Sequence, residues 1–239
     1  MKVDSCVQHP ALIALLNNPG SVIFLDANIF IPPDRSRLYP RLRPISFEYY
    51  KEYWLDPLFA ELSGLAIHES VYAELVAGNV KNYADQQIPT KLQLFFDNQL
   101  NANENVLFAS YIRKLALNSE YIPDRDNKED RGEIKSLSYM AVKGFLYFSS
   151  RDNLPVILIE QAEDLKTGLD CMSILHTYDV IFYLLKKGYD RNGLRTLYKY
   201  LYYLTDDEKK RNPSWEMFIS DMEQTYQNID FANKIVNVQ

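Results

Sequence analysis

Short runs of apolar residues alternate with longer amphipathic stretches along this chain. Four continuous apolar runs predict buried strands, at residues 21–25, 65–67, 145–150 and 172–175. Apolar positions spaced three and four apart predict helices near residues 9–17, 47–64, 71–78, 90–100, 103–118, 131–143 and 178–188, and through most of the chain beyond 190. Strands separated by helices pair in parallel. The predicted fold class is therefore α/β, a three-layer α/β/α fold with a central parallel sheet plus C-terminal helices.

Local signals place several boundaries of these elements. Residues 32–44 carry prolines and arginines and predict a loop. The next helix, at 47–64, is expected to be interrupted near Pro57. Ser70 is expected to cap the next helix, and Gly78 to end it. Gly144 should end the helix at 131–143.

The composition is that of an ordered globular protein. The chain has 239 residues, of which 47% are hydrophobic, enough for one sizeable core. Its two cysteines, Cys6 and Cys171, form neither a disulfide framework nor a metal-ligand spacing. The first twenty residues have acidic and polar breaks, unlike a signal peptide, and no apolar run is long enough for a membrane span. We therefore expect a soluble, cytoplasmic protein without a membrane partner.

The net charge of −6 is weak evidence against nucleic-acid binding, because phosphate contacts need lysine and arginine. A site built from carboxylates would bias that sum, however, and basic residues still cluster locally. Four arginines lie within nine residues of the predicted loop, namely Arg35, Arg37, Arg41 and Arg43. They are either a solvated loop surface or a grip for RNA phosphates.

A single charge, Asp26, stands in the apolar run of residues 21–31. An isolated buried carboxylate costs several kcal/mol or takes up a proton. Asp26 ends the first strand, Asp152 lies just past the third, and Glu74 lies on the helix after the second. Because parallel strands end at the same edge of a sheet, these three acids should meet at one rim.

A fourth acid comes from the helix at 131–143. Glu133 shares a stripe with Leu137 and Met140, which must face the core, so Glu133 should point to the core-side edge of its helix. Asp130, one turn earlier on that stripe, is the alternative. Four converging carboxylates would repel one another unless they are protonated or neutralised by divalent cations. Oxygen ligands suit Mg²⁺ or Mn²⁺, which points to metal-assisted attack of water on a phosphodiester.

Four sequence motifs carry these acids in order along the chain. They are the apolar strand ending in Asp26-x-Asn28, the Glu74-Leu pair on a helix, the Gly132-Glu133 pair that opens a helix, and the strand ending in Ser150-x-Asp152. Together they resemble the PIN-domain ribonucleases, including the toxin subunits of bacterial toxin–antitoxin pairs. The resemblance covers roughly residues 19–188.

The resemblance implies a PIN-like fold and Mg²⁺- or Mn²⁺-dependent cleavage of RNA. Asp26, Glu74, Glu133 and Asp152 would be both the catalytic and the metal-binding residues. Asn28 and Ser150 would orient carboxylates or waters around them. An antitoxin-like protein partner and a homodimer are compatible with the resemblance.

The chain departs from compact toxin members in its length. The prediction is a PIN-like nuclease domain at residues 1–188, with a helical insertion at about 32–62, and a C-terminal helical extension at 189–239 packed on it. These additions bear on the substrate and on the toxin assignment more than on the nuclease chemistry.

Two other function classes compete with the nuclease. Phosphatases of the haloacid-dehalogenase type also end their first strand in an aspartate, but they need a second aspartate two residues later, where this chain has Asn28. The second alternative is a catalytically inactive PIN-like module that binds RNA or a protein. The fold alone does not decide among these classes.

Each candidate residue also has a structural interpretation. Asp26 could cap a loop, Glu74 could be a surface glutamate and Asp152 could be a turn residue. His9, His68 and His176 are scattered singly without zinc spacing, so we expect them to be structural. The tyrosines of the extension are expected to pack on the main domain rather than stack on bases; these are Tyr198, Tyr200, Tyr202 and Tyr203.

Overall fold

The computed structural model describes residues 2–38, 42–88, 90–229 and 231. The N-terminal half contains α1 (Pro10–Asn17), β1 (Ile23–Leu25), α2 (Ala27–Phe30), α3 (Phe47–Tyr50), a π-helical turn (Lys51–Leu55), α4 (Asp56–Glu61), β2 (Leu65–His68), α5 (Glu69–Glu74), α6 (Asn79–Gln87), β3 (Leu92–Phe95), a 3₁₀ turn (Asp97–Gln99) and α7 (Ala102–Ala116). No helix within the described ranges is long and apolar enough to span a bilayer.

The second half continues the alternation of strands and helices and ends in helices alone. It contains α8 (Arg131–Lys143), β4 (Tyr147–Ser149), α9 (Asn153–Glu160), α10 (Ala162–Leu165), β5 (Ser173–Ile174), α11 (Thr177–Lys186), α12 (Arg191–Tyr202), α13 (Asp206–Arg211) and α14 (Trp215–Thr225).

The five strands form one all-parallel sheet in the order β3-β2-β1-β4-β5. This confirms the predicted α/β class, the central parallel sheet and the additional C-terminal helices. The chain builds outward from β1 through β2 to β3 and then returns to the other side of β1 as β4. In register, Leu25 of β1 lies opposite Ser149 of β4. The gap beyond these two strand ends is where open α/β sheets bind ligands, because the connections there leave in opposite directions.

Two hydrophobic clusters cover the two faces of the sheet. One contains Phe24, Phe148 and the buried faces of α7, α8 and α9. The other contains Ile23, Leu25 and residues of α1, α3, α4 and α11, and it continues without a break into α12 and α14. The C-terminal helices therefore share a core with the sheet, while the division at residue 188 stays a prediction.

Two tyrosines of α12, Tyr198 and Tyr202, belong to this core. Tyr198, Tyr200 and Tyr202 are buried, and the Tyr198 ring stacks on Phe218 of α14 at a centroid distance of 4.5 Å. Tyr203 is half-buried. Aromatic pairs at this distance add stability beyond the area they bury. Tyr202 also contacts the ring of Tyr178 in α11 at a centroid distance of 5.7 Å, so the expected packing on the main domain is confirmed for Tyr202.

Two predicted helices differ from the structure. The helix expected at 90–100 is strand β3, whose Leu92 is buried while Gln93 is exposed, followed by a 3₁₀ turn. Four alternating residues at a sheet edge are too few to separate a strand from a helix by periodicity. The helix expected to break at Pro57 stays helical, because a π-helical turn precedes Pro57 and leaves the proline in the first turn of α4.

The helix carrying Glu74 also differs from its prediction. His68, not Ser70, is its N-cap, because the His68 ring accepts the backbone N–H of Ser70 while the Ser70 hydroxyl contacts the His68 Nδ1 at 2.7 Å. The helix ends at Glu74, before Gly78. Gly78 instead begins α6 with a φ of 131°, a conformation that side chains rarely adopt.

Candidate metal centre

Asp26 lies at the carboxyl end of β1 and is the N-cap of α2. The strand pairing carries its backbone N–H to the carbonyl of Ser149, 3.0 Å away. Its Oδ1 accepts the N–H of Ala27 at 2.7 Å, and its Oδ2 accepts the Ser150 hydroxyl at 2.6 Å. Only 1% of Asp26 is exposed. The buried carboxylate is thus aimed by two neighbouring strands and the first turn of a helix.

Asn28 connects Asp26 to the acid on the next strand. Its amide Nδ2 donates to Asp26 Oδ2, to the Ser150 hydroxyl at 2.9 Å and to Asp152 Oδ2 at 2.8 Å. Its Oδ1 accepts the backbone N–H of Arg151 at 3.0 Å. Because this oxygen is occupied by a donor, the amide must turn its nitrogen toward the carboxylates. Asn28 therefore lies where it sets the orientation of both aspartates.

Two helices bring the remaining acids to the same rim. Asp26, Glu133 and Asp152 each offer an oxygen within 4.8 Å of the others, and they range from buried through half-buried to exposed. Glu74 approaches from α5, which packs against α8. A Cβ placed on Gly132 would lie 2.5 Å from Glu74 Oε1. The four predicted acids are therefore adjacent, as expected from the parallel topology.

The electrostatics of the site penalise four negative charges. Burial raises the pKa of Asp26 to about 7. The hydrogen bond from Ser150 lowers this pKa, and the charge of Asp152 raises it further. Burial, then the charge of Glu133, raises the pKa of Glu74 to about 7. Burial, then the charge of Asp26, raises the pKa of Glu133 to about 8. Each carboxyl thus resists ionisation because it is desolvated among other acids.

The donor set fits a hard divalent cation. All the ligand atoms are carboxylate oxygens, which Mg²⁺ and Mn²⁺ prefer. Glu74 Oε1 is buried and has no hydrogen-bond partner of ordinary geometry among the described residues, although the backbone amide of Gly132 lies close enough to the carboxylate to lower its pKa in part. An oxygen in this position is costly unless something positive contacts it. A cation bound among these four acids would relieve both the repulsion and the unsatisfied oxygen.

The other predicted site residues are distributed differently. Asp130 is the N-cap of α8, in the left-handed region with a φ of 53°, and its Oδ2 accepts the backbone N–H of Glu120 at 2.8 Å. Asp130 is thus committed to the preceding loop, whereas Glu133 belongs to the acid group. Arg37 and Arg43 are exposed. Arg41 lies outside the described residues.

Arg35 is held by the C-terminal helices. Its guanidinium pairs with Glu208 at 2.5 Å and donates to the carbonyls of Tyr200 and Leu201 at 2.9 and 3.1 Å. Through these contacts the guanidinium holds the loop at residues 32–44, the arginine loop, against α12 and α13. Arg35 therefore has a structural role that the sequence did not indicate.

Arg151 is a further residue of the site that sequence reasoning missed. Its guanidinium donates to the carbonyls of Asn28 and Ile31, the latter at 2.6 Å, and lies over the Tyr50 ring. It therefore caps the end of α2 and holds Asn28 from a second side. In the sequence, the one indication that Arg151 belongs to the site is its position between Ser150 and Asp152.

Gly132→Ala should damage the site without weakening its helix. The new Cβ would overlap the Glu74 carboxylate, whereas alanine otherwise favours a helix over glycine, by up to about 1 kcal/mol in a helix interior and by less at the second residue of α8. We expect the rise in melting temperature caused by Mn²⁺ to shrink, as followed by circular dichroism. Gly144→Ala is the matched control, with open space around its Cβ but a φ of 73°. It should lower stability and keep the full Mn²⁺ response; the reverse pattern would contradict this packing.

The metal-free protein should lose stability as the pH rises. The folded-state pKa values of Asp26, Glu74 and Glu133 lie above the ordinary values near 4, so the unfolded chain releases its protons first. The free energy of unfolding in EDTA should therefore fall between about pH 5 and pH 8. Urea denaturation measures it, and Mn²⁺ should restore stability at the upper pH.

Asp26→Asn is the control for this pH dependence. It removes one ionisable group and part of the repulsion, so its decline with pH should be shallower and its response to Mn²⁺ should be lost. If the free energy of unfolding instead rose with pH to the same extent in the variant and the wild type, the acid group would not determine the pH dependence.

Comparison with models of known protein families, with curated proteins and with solved structures finds no match for this chain. What can be said of its class therefore rests on its own geometry, a parallel α/β sheet with four acids at its topological switch point.

Proposed function

We propose that this chain is a divalent-metal-dependent endoribonuclease of the PIN-domain type. The observation that carries the proposal is the convergence of Asp26, Glu133 and Asp152 within 4.8 Å, with Glu74 beside them, at the switch point between β1 and β4. The order of the four motifs along the chain adds to it. A solvated surface cluster would not bury Asp26 almost completely or bury an oxygen of Glu74.

The chemistry proposed is hydrolysis of a phosphodiester bond. A bound Mg²⁺ or Mn²⁺ would neutralise the acids, polarise a phosphate oxygen and lower the pKa of a water. The chain's own residues supply the positions. Ser150 and Asn28 hold Asp26 and Asp152 in register, and Glu74 and Glu133 come from two packed helices. Asp152 is exposed, which leaves one side of the group open to a polymer.

RNA as the substrate rests on the resemblance and on the exposed cations of the arginine loop. Arg37 and Arg43 are exposed and could contact phosphates. The antitoxin-like partner and the homodimer stay predictions. The exposed free cysteines Cys6 and Cys171 are compatible with the reducing cytoplasm expected from the sequence.

The deciding experiment is incubation of the full chain with total RNA and with 5′-labelled RNA oligonucleotides, in Mn²⁺, in Mg²⁺ and in EDTA. We expect internal cleavage in Mn²⁺ or Mg²⁺ and none in EDTA. Matched DNA oligonucleotides and a phosphomonoester are the other arms. Release of phosphate from the monoester alone would favour a phosphatase. RNA binding without cleavage in any metal would favour the inactive binding module.

Substitutions in the arginine loop should affect RNA binding at some positions and stability at another. Arg37→Ala combined with Arg43→Ala should weaken RNA binding and reduce its salt dependence by roughly two phosphate contacts, with the melting temperature unchanged. Arg35→Ala should instead destabilise the fold by about 1–2 kcal/mol, since it loses Glu208 and two carbonyls. Filter binding across salt concentrations and urea denaturation separate the two effects. If changing Arg35 weakened RNA binding as much as changing Arg37 and Arg43, this assignment of separate roles would be contradicted.

A further inference from the structure

A second group of metal-ligating side chains lies at the end of β5, one strand beyond Asp152. His176 follows β5 and is the N-cap of α11, and His9 is the N-cap of α1. Their ring centroids are 4.9 Å apart with the planes at 63°. Both histidines were expected to be structural, because they are scattered singly in the sequence without zinc spacing. The fold instead brings the N-terminal segment across the strand end and places the rings together.

Each histidine has a carboxylate partner. His9 Nδ1 lies 2.8 Å from Asp179 Oδ1, and His176 Nε2 lies 3.1 Å from Glu160 Oε1. Asp179 is fully buried, and its second oxygen accepts the backbone N–H of His176 at 3.2 Å. Asp179 thus fixes the His9 ring through Nδ1 and leaves Nε2 for another partner. A carboxylate on the far nitrogen is how metal-binding histidines are commonly oriented.

These side chains open into a cavity of about 420 Å³. Asp4, Glu160, His9 and His176 line it, together with Lys2 and Tyr178. The cavity has room for an ion with a bound water, and its polar lining supplies the hydrogen bonds that such a water needs. Glu160 is about half-exposed on its side chain, so the group can be reached from solvent.

Charge and ligand type both favour a transition-metal dication here. Three carboxylates surround the rings, those of Asp4, Glu160 and Asp179, while Lys2 is the one lysine of the cavity lining. Imidazole nitrogens combined with a carboxylate suit Zn²⁺ and its neighbours, whereas Mg²⁺ prefers oxygen alone. The same preference separates this group from the all-oxygen centre around Asp26.

The distances are close to those of a coordination sphere. His9, His176 and Asp179 each offer a ligand atom within 4.8 Å of the others, and Glu160 joins this group through its contact with His176. The 3.1 Å between His176 Nε2 and Glu160 Oε1 is near the edge of a zinc tetrahedron, roughly 3.3 Å for bonds of about 2.05 Å.

We propose that His9, His176 and Glu160 bind one divalent transition-metal ion of the Zn²⁺ type, with Asp179 orienting His9 and a water from the cavity completing the coordination. The ion joins three elements, α1 through its N-cap, α9 through its last residue and the end of β5. Its role is to clamp the N-terminal segment onto the edge of the sheet. This site is independent of the proposed nuclease function.

The test uses the full chain carrying Asp26→Asn, so that the carboxylate centre is disabled while the histidine group is intact. Zn²⁺ binding is measured by isothermal titration, and Co²⁺ binding by the visible absorption that reports nitrogen ligands and geometry. We expect one Zn²⁺ per chain, with Mg²⁺ unable to compete. His9→Gln and His176→Gln should each weaken Zn²⁺ binding at least about tenfold. Lys2→Gln, a control on the same cavity, should bind Zn²⁺ as well or better.

Melting temperatures in EDTA and in Zn²⁺ separate a metal clamp from plain ion pairs. If the ion clamps the N-terminal segment, Zn²⁺ raises the melting temperature of the parent chain but not that of the histidine variants. Glu160→Gln covers the case in which a histidine variant fails to fold, because Glu160 is an exposed ligand. It should keep the EDTA melting temperature and lose most of the Zn²⁺ rise. Histidine and Glu160 variants that bind Zn²⁺ like their parent, or a parent that binds none, would overturn the proposal.

Discussion

Asp26→Asn is expected to reduce RNA cleavage by about a thousandfold or more. The substitution keeps the volume and one oxygen that can accept from Ser150, although its Nδ2 then faces the N–H of Ala27, and it removes a negative oxygen from the centre of the acid group. Glu74→Gln, Glu133→Gln and Asp152→Asn should act in the same way. Single-turnover cleavage of a labelled RNA in Mn²⁺ is the measurement, with circular dichroism to verify that each variant is folded.

The four losses should be far from additive. Residues that hold one catalytic assembly fail together, so the quadruple variant should be little worse than the weakest single variant. Asp130→Asn is the matched control, because Asp130 lies one turn from Glu133 but bonds to the Glu120 backbone. It should cleave nearly as well as the wild type. An essential Asp130 with a dispensable Glu133 would reverse that assignment, and five fully active variants would exclude the nuclease.

Asn28→Asp should destabilise the metal-free protein by about 3 kcal/mol at neutral pH. Asn28 donates one amide nitrogen toward Asp26, Ser150 and Asp152, so an aspartate there turns two attractive contacts into repulsive ones. Urea denaturation in EDTA measures the change. Lowering the pH to about 5, or adding Mn²⁺, should recover much of the stability, because protons or a cation neutralise the added charge.

Asn28→Ala separates the charge from the lost hydrogen bonds. It removes the same donors without adding a carboxylate, so it should cost about 1–2 kcal/mol and recover nothing at low pH. If the aspartate variant were as stable as the alanine variant at neutral pH in EDTA, the contacts of Asn28 would not be those of an amide donor among anions. The pair of variants also tests why this position carries asparagine rather than the second aspartate of a dehalogenase-type phosphatase.

The group of four acids and the group of histidines share a physical origin in the parallel sheet. Parallel strands all end at one rim, so side chains that follow β1, β4 and β5 lie in a row although the chain visits them at distant positions. Asp26 and Asp152 follow the central pair and His176 follows the edge strand. The different chemistry of the groups comes from the elements that approach the rim, α5 and α8 with glutamates in one case and the N-terminal segment with His9 in the other.

The sequence by itself determined the class of fold and the convergence of the acids. Uninterrupted apolar runs predict buried parallel strands, and an acid after each run must then meet the others at one edge, so Asp26, Asp152 and the helix-borne Glu133 were predictable. Strand β3 was not, because a half-exposed edge strand of four residues has no distinctive period. The pairing of His9 with His176, the anchoring of Arg35 by Glu208 and the two-sided hold of Arg151 on Asn28 were decided only by the tertiary structure. Each joins segments that are distant along the chain, and nothing in the local pattern of either segment encodes which partner the fold will bring to it.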